Sequence, residues 1–428
     1  MPLWAASFGE SDTEGVGMKS FGILVGGGPA PGINGVISAA TILARRNGAR
    51  VVGFFDGFSR LMQAEEPAKL ELRTSEVSRI PQLGGSILRT SRANPTRDPA
   101  ALERVVENLV AAGVNHLISI GGDDTAYSAR CVEEAAQGRI AVAHVPKTID
   151  NDLPLPHGIP TFGFESAREN ATRILENLME DARTTGRWYL VVVMGRSAGH
   201  LALGSAKAAG ATLALIPEDF RQGPIPLEGV VRALEGAVVK RLALGRAYGV
   251  AVVAEGIGMR LDPRDLEFLG DVERDAHGHI RLAEVPLGRM LRDRVLEGLA
   301  ERGVRLTMVP KDVGYELRCG APNAFDLVYS RDLGAGAVRT LLAGRSGVLI
   351  TRQESAIVPI PFAEIMDPAT GRTRVRVVDT STESHASAWA LQVRIEARDL
   401  EDAQMLERLG GVLGIEAEEA RRRYASAC

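Results

Sequence analysis

Short apolar runs of strand length alternate along the chain with longer stretches of helical pattern. Phe21–Val25 (FGILV), Val51–Phe55, His116–Ile120, Ile140–Val145, Trp188–Met194, Ala211–Ile216 and Gly249–Ala254 are continuous and rich in β-branched residues. Strands buried on both faces read this way. Between them, 33–46, 102–112, 166–182, 199–210 and 230–245 have helical composition. The βαβα order predicts a parallel, doubly wound sheet, or two of them. Near the C-terminus the pattern predicts a strand over Trp389–Ile395 and helices over 399–410 and 415–425.

Five of these strands run directly into glycine-rich or polar segments: GGGPAPG, GGDDT, PKTIDND, GRSAGH and EG. In open α/β sheets ligands bind at the carboxyl ends of strands, so this recurrence is the main functional signal. A boundary is expected near 155–165, where Pro154, Pro156 and Pro160 cluster, and 260–279 reads as a charged surface excursion.

Composition narrows the classes. A chain of 428 residues suggests about two or three domains, and 45% hydrophobic content supplies a large core. A net charge of -4 and 5% aromatics argue against nucleic acid as a partner. Cys131, Cys319 and Cys428 form no disulfide or zinc spacing, which points to a reducing compartment. Residues 1–17 have no signal-peptide core, and the longest apolar runs are strand-sized, so no membrane association is expected. The expectation is a soluble, cytoplasmic protein.

The segments at the strand ends suit phosphate chemistry. In GGGPAPG, Gly27 and Gly28 let backbone N–H groups approach an anion before a helix N-terminus, although a plain strand–helix turn would look alike. The loop matches neither common nucleotide fingerprint. In GGDDT, Gly122 is followed by Asp123 and Asp124, where one carboxylate suits Mg2+ and the bland alternative is a helix cap. PKTIDND places Lys147, Thr148, Asp150 and Asp152 together. Phosphoryl transfer to a hydroxyl needs a base, a cation for the donor and metal ligands, and this segment can supply all three. Arg196 in MGRSAGH suits a developing anion, and Arg89 and Arg92 flank the glycines of GGSILRTSR. Glu255 ends a strand, where it could accept sugar hydroxyls or cap a helix; Arg187, Tyr315 and Arg318 carry little signal alone, and His200 reads as structural.

GGGPAPGIN, GGSILRTSR, GGDDT, PKTIDNDLPL, MGRSAGH, AEG and GYELRCG stand in the order and spacing of the phosphofructokinases. The chain resembles that family from about residue 20 to about 350. The resemblance implies two similar doubly wound, mainly parallel-sheet (Rossmann-like) domains with the site in the cleft between them. One, the donor domain, would comprise 18–161 with about 320–360. The other, the sugar-phosphate domain, would comprise 162–319 with about 361–428. It further implies Mg2+-dependent phosphoryl transfer to the 1-hydroxyl of fructose 6-phosphate. Asp150 would be the base, Thr148 would lie near the transferred group and Arg196 would stabilise it. Asp123 would hold Mg2+, and Asp152 would support the charge arrangement. Met194, Gly195 and Glu255 would contact the sugar, and Tyr315 with Arg318 would form the 6-phosphate pocket. Arg187 resembles an arginine that reaches that pocket from a neighbouring subunit, which implies a homodimer or homotetramer.

Two positions bear on the donor. ATP-using members resemble GGDGS and PGTIDND, whereas this chain has Asp124 and Lys147 at the variable positions. A carboxylate at 124 fills and repels the site of a nucleotide α-phosphate, and Lys147 adds a cation for free pyrophosphate. Both features resemble the pyrophosphate-dependent branch, for which a reversible reaction is implied. The alternatives are an ATP-dependent enzyme or a kinase of another sugar phosphate such as sedoheptulose 7-phosphate. Pro29, Arg89 and the lack of an arginine six residues before Tyr315 depart from the family pattern. Arg89 is expected to add a cation to the donor pocket, and Lys311 to substitute for the missing arginine. GGDG-type turns also occur in NAD kinases and diacylglycerol kinases, but PKTIDND and MGR are not expected there. A non-catalytic, sugar-phosphate-sensing subunit would be expected to lack Asp150, Asp123 or Arg196, and all three are present.

Overall fold

The computed structural model describes residues 19–63, 66–156, 158–266, 285–371 and 373–425. Most of the expected charged excursion lies outside them. Eleven strands are formed among the described residues: β1 (Ser20–Val25), β2 (Arg50–Phe54), β3 (Lys69–Glu71), β4 (His116–Gly121), β5 (Ala141–Pro146), β6 (Trp188–Val193), β7 (Leu213–Leu215), β8 (Gly249–Ala254), β9 (Met308–Val313), β10 (Val348–Gln353) and β11 (Ala356–Pro361). They make a seven-stranded sheet, ordered β11-β10-β5-β4-β1-β2-β3, and a four-stranded sheet, ordered β7-β8-β6-β9. Only β2–β3 and β10–β11 pair antiparallel. The expected α/β class, mainly parallel and doubly wound, is what forms.

Alternation along each strand divides the cores. In β1, Phe21, Ile23 and Val25 face the helices Ile33–Arg46 and Ala324–Leu342. Leu24 points the other way, towards Pro99–Ala111 and Asp123–Ala136. In β6, Trp188, Leu190 and Val192 join Leu227–Ala243 and the C-terminal helices. Tyr189, Val191 and Val193 pack on Phe164–Thr185 and His200–Ala209. Each sheet is therefore covered on both faces, as continuous apolar strands require. The larger sheet reverses its strand order between β1 and β4, which opens a crevice at their carboxyl ends.

The tail departs from expectation. Trp389 lies in a helix, Glu383–Ala390, and 391–395 forms no strand. This stretch does run along the edge of β7. Val393 N donates to Thr212 O at 2.8 Å, but the Gln392 side chain then accepts from Ala214 N at 3.0 Å. A side-chain amide thus replaces the next rung of a ladder. The single helix expected over 399–410 is broken at Asp402, whose carboxylate caps Gln404 N at 2.9 Å and Met405 N at 3.2 Å. The result is Ala397–Glu401 followed by Ala403–Leu413.

Candidate active site

The turn after β1 is held by its neighbours. Gly26 N donates to Ile120 O and Gly27 N to Ser91 O, each at 2.8 Å. Gly27 is left-handed, with φ 80°, and a Cβ there would stand 3.2 Å from Lys147 Nζ. A Cβ on Gly28 would stand 3.5 Å from Arg318 Cζ. Gly27 therefore serves both the turn and the close approach of the Lys147 ammonium, whereas at Gly28 a Cβ would make an ordinary contact with Arg318.

Asp123 and Asp124 occupy the first turn of the helix Asp123–Ala136, where the helix dipole favours carboxylates. Neither is its N-cap, which is Gly122. Across from them, Lys147 is 3% exposed and its Nζ donates to Gly28 O. Burial lowers its pKa to about 8, and the Arg318 guanidinium acts in the same direction. Thr148 Oγ1 accepts from Asp150 N at 3.0 Å.

Asp150 and Asp152 flank Asn151, which is left-handed at φ 57°. The buried Asp150 Oδ1 has no hydrogen-bond partner. Burial, and after it the Asp152 charge, raises the Asp150 pKa to about 7. Asp152 is raised as well, by burial and then by Asp123. A carboxyl poised near neutrality in a cleft has the properties of a general base.

These groups line one cavity of about 230 Å³, together with Gly27, Gly28, Arg92, Gly122, Arg196 and Arg318. A second cavity of about 610 Å³ is lined by Met194, Glu255, Arg289, Asp312 and Tyr315, among others. Gly195 N donates to Glu255 Oε2 at 3.1 Å, which fixes the loop after β6 between the two cavities. Arg318, expected in a pocket with Tyr315, instead lines the first cavity. Its Cζ lies 4.8 Å from the centroid of the Tyr315 ring in the second. That pair joins the two spaces. The Glu255 charge also acts on Asp150, so the second cavity borders that carboxyl.

Three expected residues are not gathered here. Arg187 precedes the amino end of β6, opposite Met194, with its Nε 3.9 Å from Asp181. Arg89 turns away from the first cavity, 3.8 Å from Asp56 and over the Phe55 ring, so no extra cation enters. Lys311 is exposed and does not line the second cavity, although its neighbours Pro310 and Asp312 do; strand alternation sends it to the other face. Arg289, near the start of the helix Leu287–Ala300, is the cation that sequence reasoning missed. It stands in a segment without a recognisable motif.

Among the described residues no group of three or more His, Cys, Asp or Glu side chains is arranged to hold a metal by itself. The donor set still fits a hard cation. The Asp123 charge raises the cost of ionising Asp152, and such a pair is relieved by a divalent ion completed with water and phosphate oxygens. No described helix is long and apolar enough to cross a membrane.

A family model described as phosphofructokinase matches residues 20–341. The chain is 51% identical to a pyrophosphate–fructose 6-phosphate 1-phosphotransferase of Thermotoga maritima, over 95% of this chain and 98% of that one. It is 47% identical to the protein of that name from Naegleria fowleri, over 95% of each. The solved pyrophosphate-dependent phosphofructokinase of Marinobacter aquaeolei shares the fold, with a TM-score of 0.66 over 92% of each chain at 18% identity.

Proposed function

The chain belongs to the phosphofructokinase family, and we propose on that premise that it transfers a phosphoryl group from pyrophosphate to the 1-hydroxyl of fructose 6-phosphate. The observation that carries this reading is the buried ammonium of Lys147 against the Gly27–Gly28 turn, facing Asp124 across a cavity of about 230 Å³. That is a small space in which Arg92, Lys147, Arg196 and Arg318 supply positive charge and the Asp124 carboxylate stands where a longer donor would extend. It suits a short polyanion and opposes a nucleotide tail.

In this reaction the sugar lies in the second cavity against Met194, Gly195, Glu255 and Tyr315. Its 1-hydroxyl points at Asp150, which takes the proton as the oxygen bonds to phosphorus. The bond from that phosphorus to the bridging oxygen breaks, and orthophosphate leaves. Lys147, Arg92 and the glycine turn hold the donor, while Arg196 and Arg318 lie where charge accumulates on the moving group. Thr148 and Asp152 orient the loop. Magnesium bound by Asp123 would neutralise phosphate charge. A near-zero difference in phosphoryl potential between pyrophosphate and the sugar 1-phosphate would let the reaction run in both directions. The larger sheet serves the donor and the smaller one the sugar. A homodimer or homotetramer would let Arg187 reach a neighbour's sugar phosphate, and the setting is the cytoplasm.

Phosphorus NMR of the reaction mixture tests the chemistry. Loss of pyrophosphate with equal gains of orthophosphate and fructose 1,6-bisphosphate is expected. Orthophosphate without a sugar bisphosphate would mean hydrolysis and would overturn the reading.

A further inference from the structure

The family match ends at residue 341, yet a later segment reaches the catalytic loops. Arg376 N donates to Asp152 O at 2.7 Å. Its Nε donates to Asn151 O at 3.0 Å, one terminal nitrogen to Ile159 O at 2.7 Å, and the other to Asn151 Oδ1. Two residues on, Val378 N donates to Glu218 Oε1 at 2.9 Å, and the same oxygen accepts from Gly199 N, within the MGRSAGH segment, at 3.0 Å. The segment thus crosses the loops that follow β5 and β6.

Asn151 is the hinge of the first loop. It is a non-glycine residue in the left-handed region, at φ 57°, a conformation that persists only where its surroundings hold it. Arg376 binds both its carbonyl and its side chain, so the guanidinium fork is fitted to that turn. Asp150, the preceding residue, has a buried oxygen without a partner. Its direction therefore depends on the backbone.

We propose that Arg376 is a positioning residue for phosphoryl transfer: by clamping the left-handed turn at Asn151, it aims the Asp150 carboxylate at the acceptor hydroxyl. The inference rests on the reading of Asp150 as base. It places in the C-terminal tail a requirement of the chemical step rather than of sugar binding.

The test uses the full chain with pyrophosphate, fructose 6-phosphate and magnesium, comparing wild type, Arg376→Ala and Arg374→Ala. Arg374 lies on the same segment but donates to Met366 O and Glu364 O, away from the loop. For Arg376→Ala, kcat is expected to fall about 10–100-fold, the range for losing charge-assisted bonds, with KM for the sugar changed less than about threefold. Added guanidinium ion should restore part of that kcat, and ammonium ion should not. Arg374→Ala should stay within about twofold of wild type. Unchanged kcat in Arg376→Ala overturns the inference alone. Loss of sugar binding along with kcat, unrescued by guanidinium, assigns Arg376 a merely structural role and overturns it too. A wild type inactive with pyrophosphate but active with ATP overturns only the donor reading, because the clamp is then tested with ATP. A wild type inactive with every donor overturns the reading of Asp150 and the inference with it.

Discussion

The ammonium of Lys147, at the end of the β5 turn, donates to the carbonyl oxygen of Gly28, 119 residues earlier in the chain. The contact ties the two loops that would enclose the donor and leaves a buried cation between them. Burying an ammonium costs much desolvation, which Asp150, Asp152 and Asp123 offset in part and a phosphate anion would relieve further.

Donor choice should therefore respond to two residues. With Asp124→Gly and Lys147→Gly together, kcat/KM for pyrophosphate should fall at least about 100-fold, and measurable ATP use should appear. Full pyrophosphate activity with no ATP use would show that donor choice is set elsewhere.

Replacing the proposed base should separate chemistry from binding. Asp150→Ser should lower kcat by about 10²–10⁴-fold, the usual range for general-base removal, while fructose 6-phosphate still binds in an equilibrium titration. Turnover near wild type would remove Asp150 from that role.

The same residue should set a pH dependence of stability in the metal-free protein. Its folded pKa is raised from 3.8 to about 7, mainly by burial. The protonated form is favoured by folding, so the stability Asp150 confers is present below its unfolded pKa and lost as pH rises towards 7. Asp150→Asn should then match wild type near pH 4 and exceed it at pH 8, by an amount on the order of 4 kcal/mol. Chemical denaturation at both pH values measures this. An equal difference at both would show that the carboxyl is ionised without penalty.

The tail is anchored far from the site. Glu235, 1% exposed, accepts from both Nε and a terminal nitrogen of Arg423 at 2.7 and 2.8 Å, and from Tyr424 Oη at 2.8 Å. Removing one partner leaves a buried carboxylate short of donors. Arg423→Ala should cost about 3–5 kcal/mol in chemical denaturation and lower Tm. A change under about 1 kcal/mol would mean that Arg232, 3.6 Å from Glu235, replaces it.

The sequence makes the centre of the fold and site readable, and its edges much less so. β1, β4, β5, β6 and β8 are continuous apolar runs because both faces are covered, and their loops carry motifs. β9 reads poorly because it lies at a sheet edge and contains Pro310, Lys311 and Asp312, residues that a central strand would not tolerate. The tail misleads for another reason. Its course by β7 is fixed by Gln392 and Arg394 side chains rather than by a strand pattern. Arg376 has no motif because its partners are mostly backbone oxygens, more than 200 residues earlier, which any sequence provides. Conversely, Arg89 and Lys311 look well placed along the chain, but their side chains leave the cavities that their neighbours line.

The most direct test is a paired initial-rate assay of the purified protein with fructose 6-phosphate and magnesium, supplying either pyrophosphate or ATP. Turnover with pyrophosphate and none with ATP is the predicted result. Turnover with ATP alone would contradict the donor site built from Asp124 and Lys147, and turnover with neither would contradict the assignment of fructose 6-phosphate as acceptor.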